Sequence, residues 1–270
     1  DNACTGAGAV YVFRRPGSLW APEAYLKAGN TDPGDAFGTT VAISGDTIVV
    51  GAFGEDSCAT GVNGNASNNG CSNAGAAYVF TRSGSTWSQQ AYLKAGNAGA
   101  ADFFGMVAID GDSVVVGANG EGSCASGVNG NASNNGCSGA GAAYVFTRFG
   151  AAWSQQAYVK PSNTGGPDIG YQFGFAVSLS GDGSTLAVTQ TSDPSKATGI
   201  NGDQKNTAAP DSGAVFVFTH SGATWSQQAY VKAGTATPNP LSGYSVGLSG
   251  NGDTLGVGAY NDSGRKGAVY

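Results

Sequence analysis

Four of the five cysteines form two pairs whose spacing predicts disulfide chemistry. In each pair the cysteines lie 13 residues apart and bracket nearly identical loops, CATGVNGNASNNGC and CASGVNGNASNNGC. A zinc site needs closely spaced cysteines and further ligands, whereas these loops contain no histidine. We therefore predict two local disulfides, Cys58–Cys71 and Cys124–Cys137. Disulfides persist in oxidising compartments, so the pattern predicts an extracellular or cell-surface location, or a periplasm.

The fifth cysteine, Cys4, occupies the repeat position of the second cysteine in each pair. The segment DNACTGAGAVYVF aligns with NNGCSNAGAAYVF, which places Cys4 at the position of Cys71 and Cys137. Cys4 is thus expected to be unpaired in this chain, with its partner upstream of Asp1, and we interpret the sequence as a piece of a longer array. A free thiol is the alternative.

Few residues in the chain suit catalysis. His220 is the single histidine, and it follows a strand at the position that Arg82 and Arg148 hold in other repeats. Nucleophilic catalysis needs a positioned base beside the nucleophile, and no second histidine can supply it. We do not expect an enzyme or a bound cofactor.

Charge and hydropathy exclude two classes of partner. The net charge is −6, and lysine and arginine are scattered singly, so the basic patch of a nucleic-acid-binding protein is missing. No apolar run approaches the roughly 20 residues that span a bilayer. Charged residues make up only 11% of the chain, against about 25% in an average protein, so amides and hydroxyls must supply the surface polarity.

An internal repeat positions all of these residues. The motif AGAAYVF occurs twice, GAVYVF and SGAVFVF are close variants, and KGAVY begins a fifth copy. The shared aromatic positions are 67, 66, 72 and 54 residues apart, and a near-constant period indicates an array architecture. We divide the single array into repeats at approximately 6–73, 74–139, 140–211 and 212–265, with a partial repeat at 266–270.

Each repeat contains four short β-strand patterns and no helical periodicity. In the second repeat they are Ala76–Arg82, Trp87–Ala95, Phe104–Asp110 and Ser113–Ala118, bounded by Gly, Asp and Ser turns. Consecutive apolar positions indicate strands covered on both faces. Four antiparallel strands buried in this way are typical of a β-propeller blade, with small Gly-Ala pairs where blades converge.

Two aromatic positions recur in the repeats. One holds Trp20, Trp87, Trp153 and Trp225, and the other holds Tyr25, Tyr92, Tyr158 and Tyr230. These residues form either an aromatic ligand platform or wedges that fill each blade. We favour the wedges, because a residue repeated in every blade usually serves the blade itself.

The hairpin FG-x₂-VAISGD-x-I-VVGA at Phe37–Ala52, followed by GAAYVF, resembles FG-GAP repeats, the unit of the integrin α-subunit propeller. It is most similar to the bacterial secreted form. Further copies lie at Phe104–Ala118, Phe173–Thr189 and Tyr244–Ala259. The resemblance implies a β-propeller, commonly of seven blades, in extracellular and adhesive proteins, and therefore a longer parent protein.

Many FG-GAP repeats bind Ca²⁺ in a DxDxDG-type loop of this hairpin, and this chain departs from that pattern. The corresponding turns hold one or two carboxylates, too few for the six or more oxygen ligands of Ca²⁺. Calcium is therefore not expected, and Asp182 and Asp253 are the weak candidates. The carboxylates before the FG strands, Asp32, Asp35, Asp102 and Asp168, are interpreted as turn residues and strand caps.

The disulfide loops are interpreted as connections from one blade to the next, and they are long enough to carry function. Asn65 and Asn131 begin N-x-S sequons at the same loop position, and Asn261 begins a third. These three asparagines are candidate glycosylation sites. The candidate binding residues of the loops are Asn63, Asn65, Asn68, Asn129, Asn131 and Asn134.

The sequence leaves three functions open. The first is a secreted or cell-surface structural or adhesion module, with other copies of itself or an extracellular protein or surface as partner, assembling into a fibre or sheath. The second is a lectin-like propeller that binds carbohydrate through its Asn/Gly loops. The third and weakest is a calcium-stabilised adhesion head.

Overall fold

The computed structural model describes residues 4–165, 170–222, 224–234, 242–262 and 266–270. These residues form eighteen β-strands. The strands are β1 (Val10–Arg14), β2 (Ala21–Leu26), β3 (Thr40–Ser44), β4 (Thr47–Ala52), β5 (Ala76–Ser83), β6 (Thr86–Leu93), β7 (Phe104–Asp110), β8 (Ser113–Ala118), β9 (Ala142–Phe149), β10 (Ala152–Val159), β11 (Phe173–Leu179), β12 (Thr185–Gln190), β13 (Gly199–Ile200), β14 (Ala214–Ser221), β15 (Thr224–Lys232), β16 (Ser242–Leu248), β17 (Leu255–Ala259) and β18 (Ala268–Val269).

The strands form five antiparallel sheets that follow one another along the chain. The first sheet is β1–β2, the second is β3–β4–β5–β6, and the third is β7–β8–β9–β10. The fourth sheet is β11–β12–β14–β15 with β13 added at its edge, and the fifth is β16–β17–β18. The second, third and fourth sheets are complete four-stranded blades, which confirms the predicted all-β propeller arrangement.

Each complete sheet begins at an FG strand, whereas the predicted repeats begin at the AGAAYVF motif. The boundaries of the sheets therefore differ from the predicted boundaries of the repeats. Strand β4 pairs with β5 along its whole length, from Thr47↔Thr81 to Ala52↔Ala76. The disulfide loop at 53–75 therefore joins two neighbouring strands of one sheet, and its predicted role as a connection between blades is wrong. The loop folds back because its two ends bond to each other, with Gly75 N donating to Glu55 O at 2.8 Å.

Burial of the strands follows the apolar runs in the sequence. Every residue of β4 is buried, as are the first five of β5 and of β9. The cores between the sheets are continuous, since Val49 and Leu93 of the second sheet pack in one cluster with Val114 and Tyr144 of the third. The consecutive apolar residues are thus explained by neighbouring sheets that cover both faces.

The first strands of successive sheets lie side by side, with β3 against β7, β7 against β11 and β11 against β16. Glycines permit this close approach, as the predicted Gly-Ala pairs require. A Cβ built on Gly51 would lie 1.8 Å from the carbonyl oxygen of Gly105, and one on Gly117 would lie 2.1 Å from that of Gly174.

The recurring tryptophans contact the preceding sheet. The indole nitrogen of Trp153 donates to Oε1 of Gln90 at 2.8 Å, and that of Trp225 donates to Oε1 of Gln156 at 3.2 Å. Trp153 and Trp225 are buried and Trp87 is half-buried, so these three act as wedges between blades. Trp20 in the first sheet is exposed instead.

Candidate functional site

The long connections lie at one end of the sheets, which we call the loop face. It consists of 27–39, 53–75, 94–103, 119–141, 160–165, 170–172 and 191–213. The ladders fix this placement, because β4 ends and β5 begins opposite the start of β3 and the end of β6. The opposite end, the hairpin face, carries two-residue turns such as Gly45–Asp46 and Gly84–Ser85.

Both predicted disulfides form on the loop face. The sulfur atoms of Cys58 and Cys71 lie 2.01 Å apart, and those of Cys124 and Cys137 lie 2.04 Å apart. Cys4 is exposed and unpaired in the described part of the chain. Its carbonyl accepts a hydrogen bond from Ala7 N at 3.3 Å.

Backbone hydrogen bonds show that the segment at Cys4 and the fourth-sheet loop are folded like the disulfide loops. The bond at Cys4 matches that from Ala74 N to Cys71 O, which confirms that the two cysteines occupy equivalent positions. The fourth-sheet loop has no cysteines but keeps the same backbone bonds. Lys196 N donates to Asn206 O at 2.7 Å, as Cys58 N donates to Asn68 O at 3.0 Å.

The candidate asparagines differ in what they contact. Asn63 has a φ of 54°; its backbone N donates to Tyr92 O at 2.8 Å, and its Oδ1 accepts from Tyr92 N at 2.9 Å. Asn129 makes the same pair of bonds with Tyr158. These two side chains hold the loop onto the last strand of the sheet, so the fold already uses them.

The sequon asparagines of the loops are exposed. Asn65 Oδ1 accepts bonds from Ser67 N at 3.1 Å and Ser67 Oγ at 2.7 Å, and Asn131 does the same with Ser133. Asn68 and Asn134 are also exposed, and each accepts a bond from the glycine two residues later. Asn261 is half-buried, and Ser263 of its sequon lies outside the described residues.

A buried cluster of charged and polar side chains lies beneath the loops of each complete sheet. Its members are Glu55, Lys94, Tyr92 and Asn30 in the second sheet, Glu121, Lys160, Tyr158 and Asn97 in the third, and Asp193, Lys232, Tyr230 and Asn163 in the fourth. Lysine Nζ lies 2.8, 2.8 and 2.9 Å from the carboxylate in the three clusters. The asparagine comes from the connection before the sheet, so each cluster ties neighbouring blades together.

Burial perturbs the charged groups of these clusters. Desolvation lowers the pKa of Lys94, Lys160 and Lys232, and the neighbouring carboxylate partly opposes it. Desolvation, and then the carboxylate charge, raises the pKa of Tyr92, Tyr158 and Tyr230. The ion-paired side chains are at most 1% exposed, so the clusters form a sealed floor under the loops.

The sequence analysis missed these clusters, although the signal for them is present. A lysine recurs in AYLKAGN, AYVKPSN and AYVKAGT, and an acidic residue recurs in GEDS, GEGS and SDPS. In a chain with so few charges, two charged positions repeated in register indicate a pair.

Two of the carboxylates before the FG strands, Asp35 and Asp102, cap turns as predicted, whereas the Asp32 side chain accepts from Asn69 Nδ2 in the disulfide loop. Asp35 Oδ2 accepts from Asp32 N at 2.8 Å, and Asp102 Oδ2 accepts from Gly99 N at 2.7 Å. Desolvation by burial raises the pKa of Asp35 to about 6 and that of Asp102 to about 7. Asp168 lies outside the described residues.

The candidate calcium turns are closed by their own hydroxyls. Asp182 Oδ1 accepts from Ser180 Oγ at 2.6 Å and Ser184 N at 3.0 Å, and these bonds lower its pKa to about 2. Asp253 accepts from Asn251 Nδ2 at 2.7 Å. Within the described ranges, no three Asp, Glu, His or Cys side chains lie close enough together to hold a metal ion.

His220 serves packing. Its ring lies 5.0 Å from that of Trp225, where Arg82 and Arg148 stack on Trp87 and Trp153 in the preceding sheets. This agrees with the repeat position that the sequence assigns to it.

The sequence profile of the FG-GAP repeat matches residues 20–80 and 87–146. These segments include the FG hairpin and the AYVF strand of the second and third sheets. Together with the sheet arrangement, the match supports an FG-GAP β-propeller. A comparison with curated protein sequences found no match. None of the described residues forms a helix long and apolar enough to cross a membrane.

Proposed function

We propose that this chain is an extracellular adhesion or assembly module that binds a protein or surface partner, including other copies of itself, through the loop face. The observation that carries the proposal is the repetition of one loop shape, exposed to solvent, above a sealed floor in three consecutive blades. Binding sites are commonly placed on loops that a rigid scaffold positions.

The chemistry of the loop face supports an extracellular role. Its two disulfides would be reduced in a cytosol and persist in an oxidising environment. Its exposed side chains are mostly amides and hydroxyls with few charges. A surface of this kind suits contacts in a salty extracellular medium, because such contacts do not depend on charge pairs that salt screens.

Bead adhesion tests which face makes the contact. Beads are coated with the parent chain or with one of two matched variants. Adhesion of the beads to one another and to matrix-secreting cells is then measured. Thr60→Arg with Ser126→Arg adds charge to exposed positions of the loop face, and Ser85→Arg with Ala151→Arg adds it to the hairpin face. We expect the first pair to weaken adhesion about tenfold and the second to leave it unchanged.

The outcomes separate the two faces. Equal adhesion by all three proteins would exclude the loop face as the contact, and a loss confined to the second pair would move the contact to the hairpin face. Electron microscopy of the native particles tests self-assembly. Filaments or stacked discs support copies of the chain as partner, whereas monomers that adhere to cells indicate a different partner.

A carbohydrate-binding propeller is the second candidate. A cavity on the loop face, at Asp102, favours it.

A further inference from the structure

A cavity of about 210 Å³ opens on the loop face of the third sheet, between the connection 94–103 and the disulfide loop. Its lining includes Gly99, Asp102, Gly122, Asn135 and Ser138. Asp102 is only 6% exposed, whereas Asn135 and Ser138 are exposed at the mouth. The cavity therefore combines a buried carboxylate with an open entrance.

The second sheet fills the equivalent space with its own carboxylates. Asp32 stands at the position of Gly99 and accepts a bond from Asn69 Nδ2 at 2.7 Å. Asp56 stands at the position of Gly122 and accepts a bond from the backbone N of Asn73 at 2.7 Å.

The two glycines of the third sheet remove both of these acceptors. Asn135, the counterpart of Asn69, makes no side-chain hydrogen bond to another described residue. An amide and a carboxylate are thus left facing an open space.

The backbone does not require glycine at either position. Neither Gly99 nor Gly122 has a positive φ. A Cβ on Gly99 would lie 3.4 Å from the Asp102 carboxylate oxygens, and one on Gly122 would lie 3.7 Å from Asn135, which are ordinary contacts. The missing side chains therefore keep the cavity open rather than relieve strain.

The polar groups of the cavity are suited to hydroxyls. Asp102 Oδ2 accepts from Gly99 N, and a carboxylate oxygen has further acceptor capacity, so Oδ1 can accept from a ligand. The Asn135 amide offers two donors and an acceptor, and the Ser138 hydroxyl donates and accepts. The side chains of Ala100 and Ala101 add a small apolar wall.

The charges around Asp102 favour a neutral ligand. Glu121, Lys94 and Lys160 all act electrostatically on this carboxyl. Lys94 and Lys160 are ion-paired with Glu55 and Glu121, so these four charges balance. Burial raises the pKa of Asp102 to about 7, so this carboxyl is partly neutral near pH 7. A cavity of about 210 Å³ is also smaller than the roughly 300–1,000 Å³ pockets of drug-sized ligands, so it suits a single small ring.

We propose that this cavity binds one monosaccharide unit of a neutral glycan, with ring hydroxyls bonded to Asp102, Asn135 and Ser138. The inference rests on the second candidate function, since it gives the carbohydrate-binding propeller a site on the loop face. Of the second and third sheets, only the third has this site, because Asp32 and Asp56 fill the equivalent space in the second.

Nuclear magnetic resonance of the full chain tests the site. Glucose, galactose, mannose and N-acetylglucosamine are titrated as free sugars, with lysine amide and inorganic phosphate as charged comparators. We expect at least one sugar to shift the amide resonances of 99–102 and 135–138 with a dissociation constant of about a millimolar, a value ordinary for so small a ligand. The charged comparators should leave these resonances unmoved.

Two substitutions sharpen the test. Gly99→Asp reproduces the second sheet's Asp32–Asn69 arrangement and should weaken sugar binding at least about tenfold while the resonances of the other sheets stay in place. Ser72→Ala, at the second-sheet counterpart of Ser138, should leave binding unchanged.

The inference is overturned if no sugar shifts the cavity resonances, if lysine amide or phosphate shifts them instead, or if Gly99→Asp binds sugar as well as the parent. Bead adhesion is read separately. Adhesion without sugar binding would support the proposed adhesion function and contradict the sugar site. Sugar binding without adhesion through the loop face would support the sugar site and contradict the adhesion function.

Discussion

The Nζ of Lys94 lies 2.8 Å from Oε2 of Glu55, and neither side chain is more than 1% exposed. Burying two charges costs several kcal/mol of solvation for each, and their mutual attraction offsets this only when their other hydrogen bonds are made. Tyr92 and Asn30 supply those bonds to Glu55. The stability of the second sheet therefore depends on the cluster being complete.

Removing the lysine alone should be costly. Lys94→Met leaves Glu55 buried without its counter-charge, and we expect the free energy of unfolding to fall by about 3–5 kcal/mol in urea titrations at pH 7. Lys27→Met is the matched control, because Lys27 holds the equivalent place in the first sheet but is only half-buried. Equal losses from the two variants would contradict a special role for the buried pair.

Stability should fall as the pH rises from about 4 to about 7. Burial raises the pKa of Asp102 to about 7 and that of Asp35 to about 6, from an ordinary value of 3.8, so the folded chain keeps both carboxyls protonated to a higher pH. Within that window the folded state binds more protons than the unfolded state, so deprotonation favours unfolding. Melting temperatures measured between pH 3.5 and 8 check the direction.

The pH effect should disappear when both carboxyls become amides. In Asp35→Asn with Asp102→Asn the neutral side chains can still accept from Asp32 N and Gly99 N. The variant should match the parent near pH 4 and exceed its melting temperature near pH 8. A variant that follows the parent across the whole range would assign the pH dependence to other groups.

Close approach between blades should make Gly51 intolerant of a side chain. The added methyl of Gly51→Ala would overlap the carbonyl oxygen of Gly105, and overpacking of this kind costs about 1–3 kcal/mol. Gly247→Ala is the control, since no atom lies within 4 Å of a Cβ built there. Urea unfolding compares the two, and a neutral Gly51→Ala would show that the blades can move apart freely.

Loss of one disulfide should loosen its loop but not unfold the array. For Cys58→Ser with Cys71→Ser the chain-entropy model gives a loss of about 3 kcal/mol. The fourth-sheet loop shows that the backbone bonds can form without sulfur. Hydrogen exchange should quicken at 53–75 and stay slow at 119–141. Faster exchange in both loops would indicate that the disulfide supports the whole face.

The sequence predicts the strands well because the apolar runs and turn residues recur in every copy. It does not reveal which strand begins a sheet. The AYVF strand has a β-strand pattern on either side, and only backbone bonds such as that from Gly75 to Glu55 decide its partner. Residue types could therefore not predict which strand begins each blade. For the same reason they could not predict whether the disulfide loop lies within a blade or between two blades.

The candidate site could be predicted only in part, because residue types alone do not show which side chains the fold itself uses. Asn63 and Asn65 are the same residue type two positions apart, and both are exposed. Asn63, with a φ of 54°, nevertheless accepts from Tyr92 N in the last strand of the sheet, whereas Asn65 accepts from Ser67 in its own turn. The buried pair was missed because Lys94 and Glu55 are 39 residues apart. The cavity at Asp102 could be recognised only by comparing two sheets position by position.

Each blade supplies groups that the next blade needs. Gln90 accepts the indole proton of Trp153, and Asn97, in the connection after the second sheet, donates to Glu121 of the third. An inserted copy of a unit would both receive these groups from the unit before it and provide them to the unit after it. Duplication of the gene segment for such a unit would therefore lengthen the array without leaving a buried group unmatched, and each new copy would be free to acquire its own ligand.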